Sequence, residues 1–128
     1  MTPFYPLKKQ VLLVEDNAGV RAMLREYLED RGYTVLEAMD SSAALSLGER
    51  YPGPIHVVLT DVVMPEMDGP TLMKELKKRK PDIKIIFVSG YAEDAFDKSL
   101  PDPTQFNFLA KPFTLKQLVR VVKDTMAG

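Results

Sequence analysis

The chain has 128 residues, enough for one domain with a single core. Its 45% hydrophobic and 27% charged residues are those of an ordinary globular protein. A formal net charge of −1 gives no general case for nucleic acid or an anionic membrane as partner, and the absence of cysteine excludes disulfides, thiolate catalysis and Cys-ligated zinc.

The first six residues carry two prolines and no apolar core segment of the kind a signal peptide needs. No apolar run approaches the roughly 20 residues that span a bilayer. A soluble, cytoplasmic domain over residues 9–128 is expected, preceded by a loose N-terminal extension over residues 1–8.

Short apolar strands then alternate with helical patterns, the signature of a parallel sheet covered on both faces. Residues 11–14 are continuously apolar, as a doubly buried strand requires. Val20, Met23, Leu24, Tyr27 and Leu28 recur at helical spacing until Gly32 ends the run. Residues 34–37 read as an edge-like second strand. Ser41 or Ser42 is placed to cap a helix that Pro52-Gly53-Pro54 terminates near Tyr51.

Residues 56–60 form the third strand, and Pro70 suits the first turn of a helix running to about Lys80. A fourth strand occupies residues 84–88, and residues 91–100 are a weaker helical candidate cut off by Pro101-Asp102-Pro103. Residues 106–110 make a short fifth strand. Thr114 and Gln117 then form a capping box for a last helix with Leu115, Leu118, Val119 and Val122 on its apolar face.

With the strands assigned, the chemically interesting residues fall at their carboxyl ends, where open α/β sheets bind ligands. Glu15-Asp16 follows the first strand, Asp61 ends the third, Ser89 ends the fourth and Lys111 follows the fifth. Asp61 in that place is a metal ligand, a nucleophile or both. Three clustered carboxylates raise one another's pKa unless a cation compensates. Hard oxygen ligands without His or Cys favour Mg²⁺. Glu15, Asp16 and Asp61 supply −3, and Mg²⁺ with Lys111 supplies +3, so the crevice is balanced before a phosphoryl group arrives. An aspartate nucleophile there would carry an acyl phosphate. Taken singly, each residue also has a plain structural reading: Glu15-Asp16 as a helix cap, Asp61 as an Asx-turn residue, Ser89 as turn chemistry and Lys111 as a solvated loop lysine. Their order and common placement argue against all four at once.

Val-Glu-Asp at 14–16, Asp61 followed by Met64-Pro65-Glu66-Met67-Asp68-Gly69, Ser89-Gly90 and Lys111-Pro112-Phe113 resemble the receiver domain of bacterial two-component response regulators. The resemblance covers about residues 9–126. It implies a flavodoxin-like (βα)5 fold, a doubly wound five-stranded parallel sheet of order 2-1-3-4-5. It further implies that Asp61 accepts phosphate from a phosphohistidine. Mg²⁺ would be held by Asp16, Asp61 and the backbone carbonyl of Val63, with Glu15 acting through water. Lys111 would bridge to the phosphoryl group, Ser89 would hydrogen-bond it, and Phe108 would be the aromatic switch. The Lys111–Pro112 bond is expected to be cis. Residues 65–72 and 87–96 are similar to the C-terminal receiver of hybrid histidine kinases of the alphaproteobacterial cell-cycle type. That likeness implies a histidine kinase and a histidine phosphotransferase as partners, and tethering to the inner membrane through a parent kinase. The domain itself is expected to touch neither nucleic acid nor membrane.

Departures from the family pattern set further expectations. Pro101 and Pro103 stand where receivers commonly carry a Gly-Ala turn, so the fourth helix should be short or irregular and the domain a monomer. Val63 cannot orient water with its side chain, which implies slow loss of phosphate; the domain is expected to be a phosphoacceptor module with at most slow Mg²⁺-dependent autodephosphorylation rather than an enzyme. The same valine argues against an aspartate-nucleophile phosphatase, which needs a second acid at that position. A phosphorylation-independent interaction module would have lost one of Asp16, Asp61, Ser89 or Lys111, and none is lost. A flavin-phosphate site after the first strand would be repelled by Glu15-Asp16.

Overall fold

A computed structural model describes residues 9–62, 67–90 and 106–127. Five parallel strands, β1 (Gln10–Val14), β2 (Thr34–Ala38), β3 (Val57–Asp61), β4 (Lys84–Ser89) and β5 (Asn107–Ala110), pair in the order β2-β1-β3-β4-β5. Four described helices accompany them: α1 (Ala18–Asp30), α2 (Ser41–Arg50), α3 (Gly69–Arg79) and α4 (Leu115–Ala127). This is the flavodoxin-like order. The helical candidate at 91–100, Pro101 and Pro103, and residues 63–66, Val63 among them, lie outside the described residues.

Period-two alternation splits the strands between two cores. Val11, Leu13, Val57, Leu59, Ile86 and Val88 face Leu24 and Leu28 of α1 and Leu118, Val119 and Val122 of α4. Leu12, Val14, Val58, Ile85 and Phe87 face Ala44 of α2 and Leu72, Met73 and Leu76 of α3. The central strands are therefore buried on both sides, which is why they read as unbroken apolar runs. Helices of 10–13 residues are marginal alone, so these packed stripes are what hold them.

The helix ends are set by local chemistry. Asn17 caps α1 by accepting from the Val20 amide at 2.9 Å, and Asp68 caps α3 by accepting from the Thr71 amide at 2.8 Å. Gly32, at φ 98°, supplies the left-handed turn into β2. Thr114 and Gln117 exchange the reciprocal capping-box bonds at 2.8 and 3.1 Å. One expectation is corrected: α2 is capped by Asp40, whose carboxylate accepts from the Ala43 amide at 2.8 Å. Ser41 is instead the first helical residue, and its hydroxyl is buried against the Met67 carbonyl at 2.8 Å.

At the opposite end of the sheet, His56 Nδ1 accepts the Gln10 amide at 3.0 Å while the His56 amide donates back to the Gln10 carbonyl. Burial, and then the charge of Lys9, hold the imidazole below its ordinary value of 6.5. A depressed base contributes stability that is full above pH 6.5 and is lost as pH falls through the folded value. Denaturant titrations at about pH 7.5 and about pH 5.5 should show this loss in wild type and a smaller one in His56→Gln.

Candidate functional site

Parallel pairing brings the carboxyl ends of β1, β3, β4 and β5 to one edge. Asp61 is the last residue of β3 and stands opposite Val88, while Ser89 ends β4 opposite Ala110. The Lys111 amide then donates to the Ser89 carbonyl at 2.8 Å, which starts the loop after β5 directly beside β4. The Lys111–Pro112 bond is cis. From there the Lys111 ammonium reaches Asp61 Oδ1 at 3.0 Å, with both side chains partly open to solvent.

Gly69, the first residue of α3, presses against the same strand end. Its amide donates to the Val62 carbonyl at 2.8 Å, and a Cβ there would lie 2.5 Å from the Asp61 carbonyl oxygen and 2.8 Å from the Phe87 ring. Only glycine permits that approach.

Glu15 and Asp16 occupy the turn between β1 and α1. The Glu15 amide donates to the Ala38 carbonyl at 3.0 Å, and its carboxylate accepts the Asn17 amide at 3.2 Å. The two acidic side chains share a hydrogen bond. Burial first, then the bond to Asp16 and the charges of Asp61 and Asp16, push Glu15 up from 4.5. The Glu15 bond, helped by backbone donors and the charge of Lys111, pulls Asp16 down from 3.8.

Among the described residues, no group of three His, Cys, Asp or Glu side chains is gathered closely enough to hold a metal ion, and Asp61 is drawn to Lys111 instead. The donor chemistry nonetheless suits a hard divalent cation. The carboxylates of Glu15, Asp16 and Asp61 are hard oxygen donors, and burial first, with the charges of Asp61 and Asp16 added, disfavours the charged form of Glu15.

Ser89 is buried at this edge, 6% exposed. Phe108, on β5 opposite Phe87, is half-buried against the α2–α3 core. A cavity of about 690 Å³ opens from Asp61 and Lys111 between α1 and the loop after β5, with Val20, Met23, Leu59, Pro112 and Phe113 in its lining. Met23 is 49% exposed although it belongs to the apolar stripe of α1.

Arg21 was not singled out by sequence reasoning. On the first turns of α1 its guanidinium donates to the Glu15 carbonyl at 2.7 Å and to Glu37 Oε1 at 3.3 Å. The available signal was Glu37, a charged residue inside a short strand that needs a cation beside it.

A parallel sheet of this order with an acidic pair, a strand-end aspartate, a buried serine and a lysine at one edge defines a class, and the comparisons agree. The chain belongs to the response regulator receiver domain family, whose model matches residues 11–123. It is 56% identical over 116 residues to the sensor kinase CckA of Brucella abortus, covering 91% of this chain and 12% of that kinase. It is 36% identical to the response regulator receiver protein CpdR of the same organism, covering 92% of this chain and 97% of the relative. Among solved structures, the receiver domain of the hybrid histidine kinase CckA superposes with a TM-score of 0.77 at 37% identity, covering 91% and 98% of the two chains. The response regulator TrrA of Thermotoga maritima, solved in complex with Mg²⁺–BeF, gives 0.75 at 29% identity over 91% and 98%. Among the described residues no helix is long and apolar enough to cross a membrane.

The raised Glu15 value has a sign. A carboxyl raised on folding contributes stability below pH 4.5, and that contribution is lost as pH rises through the folded value. Glu15→Gln keeps a donor toward Asp16 and removes one charge. In metal-free buffer at neutral pH the variant is expected to melt at a higher temperature than wild type, with the difference shrinking below pH 4.5. A lower midpoint at neutral pH would contradict this.

Proposed function

We propose that Asp61 is the phosphoacceptor of a two-component phosphorelay, exchanging phosphate with the phosphohistidine of a kinase or a histidine phosphotransferase. The observation that carries the reading is the 3.0 Å Asp61–Lys111 pair at the strand edge, beside buried Ser89 and the Glu15–Asp16 pair. A carboxylate oxygen of Asp61 attacks phosphorus in line with the leaving imidazole. The O–P bond forms as the N–P bond breaks, and the nitrogen keeps the electron pair.

Lys111 is already within reach of the acceptor, so its ammonium can follow the charge from the carboxylate onto the phosphoryl oxygens without a large rearrangement. The Ser89 hydroxyl is the neighbouring donor on β4. Asp16 and Asp61 would hold a Mg²⁺ ion, with Glu15 acting through water and the main-chain carbonyl of Val63 assigned by family resemblance. Bound there, the ion would offset the phosphoryl charge. Phe108 is the proposed readout, since it stands opposite Phe87, two residues before Ser89 on β4. The apolar cavity beside Asp61, with exposed Val20 and Met23, offers the partner a surface from which its histidine can reach the acceptor. The domain acts as an acceptor and relay, with hydrolysis of its own phosphate slow.

Acetyl phosphate and Mg²⁺, followed by intact mass measurement, test this reading. Wild type should gain one alkali-labile phosphate, and Asp61→Ala should gain none. A wild type that stays unmodified by acetyl phosphate and by a phosphorylated histidine phosphotransferase would refute it.

A further inference from the structure

We infer that Arg21 is a positioning residue for the acidic pair, orienting the Glu15–Asp16 peptide so that the Asp16 carboxylate is presented to the cation. The inference rests on the proposed Mg²⁺ role of this edge. Glu15 is gripped at both of its main-chain polar groups. Its amide is tied to the Ala38 carbonyl of β2 at 3.0 Å, and its carbonyl receives Arg21 Nη1 at 2.7 Å. That carbonyl belongs to the peptide unit leading to Asp16, so the bond fixes the plane from which the Asp16 side chain departs.

A cation this close to two carboxylates would ordinarily compete with a metal for them. Glu37 removes that conflict. Its Oε1 takes Arg21 Nε at 3.3 Å, while its Oε2 takes Arg25 Nη1 at 3.0 Å. The guanidinium is thereby held by its fixed fork, one arm on a carboxylate of β2 and the other on the Glu15 carbonyl. Arg21 is only 20% exposed, and its amide is fixed by the Asn17 carbonyl at 2.8 Å, so the arm starts from a rigid turn of α1. Arg25 shares Glu37 but its other ion-pair partners are Glu26 and Glu29, away from the acidic pair. It is a natural control for loss of the ion-pair cluster alone.

The test compares wild type, Arg21→Ala, Arg21→Lys and Arg25→Ala by two readouts. One is the Mg²⁺ concentration that half-maximally raises the thermal midpoint. The other is the Mg²⁺ concentration that half-saturates the rate of labelling by acetyl phosphate. Arg21→Ala is expected to need about tenfold more Mg²⁺ in both, the low end for partners that orient metal ligands. Arg21→Lys, with one point donor, should fall between it and wild type, and Arg25→Ala should match wild type even if its metal-free midpoint drops. Equal Mg²⁺ dependence in wild type and Arg21→Ala would overturn the inference, as would an equal shift in Arg25→Ala. A wild type with no Mg²⁺ response would overturn both this inference and the reading it rests on.

Discussion

The register of the parallel sheet is the constraint on which the rest depends. Asp61 opposite Val88, and Ser89 opposite Ala110, bring residues 27 and 21 positions apart in sequence to one edge, and Lys111 closes on Asp61 at 3.0 Å. A one-residue slip of β3 would turn Asp61 to the other face of the sheet, away from α1 and the acidic pair. Two fully apolar cores oppose that slip, because it would place Val57 and Leu59 on the wrong side and strand Thr60 where Asp61 belongs. Packing far from the chemistry therefore sets the geometry of the chemistry. Gly69 adds the last restraint, with backbone contact that only the smallest residue allows.

The edge so built holds more negative charge than it can comfortably keep. Glu15 and Asp16 are hydrogen-bonded to each other, and Asp61 is paired with Lys111. Arg21 and Glu37 fit the same logic: the arginine reaches the acidic turn through a carbonyl, with its charge already answered on β2.

Much of this was legible in the sequence, for physical reasons that differ by element. The central strands announced themselves because burial on both faces forces unbroken apolar runs, and the chemical residues followed once strand ends were located. The Thr114–Gln117 box could be read because both partners lie within one turn. The α2 cap was misplaced onto Ser41 or Ser42 because Asp40, Ser41 and Ser42 are all competent caps, and the choice falls to Ser41's contact with Met67, 26 residues away. Arg21 stayed hidden for the same reason. Its meaning comes from Glu37 on another strand, and no local spacing encodes that pairing.

The central claim is that Asp61 is the nucleophile. Its most direct test is reductive trapping of the phosphorylated protein with borohydride, which converts an acyl phosphate to an alcohol, followed by peptide mapping. The expected result is homoserine at position 61 and an unmodified aspartate at position 16. A borohydride-resistant phosphate, or one mapped to Ser89, would contradict the assignment.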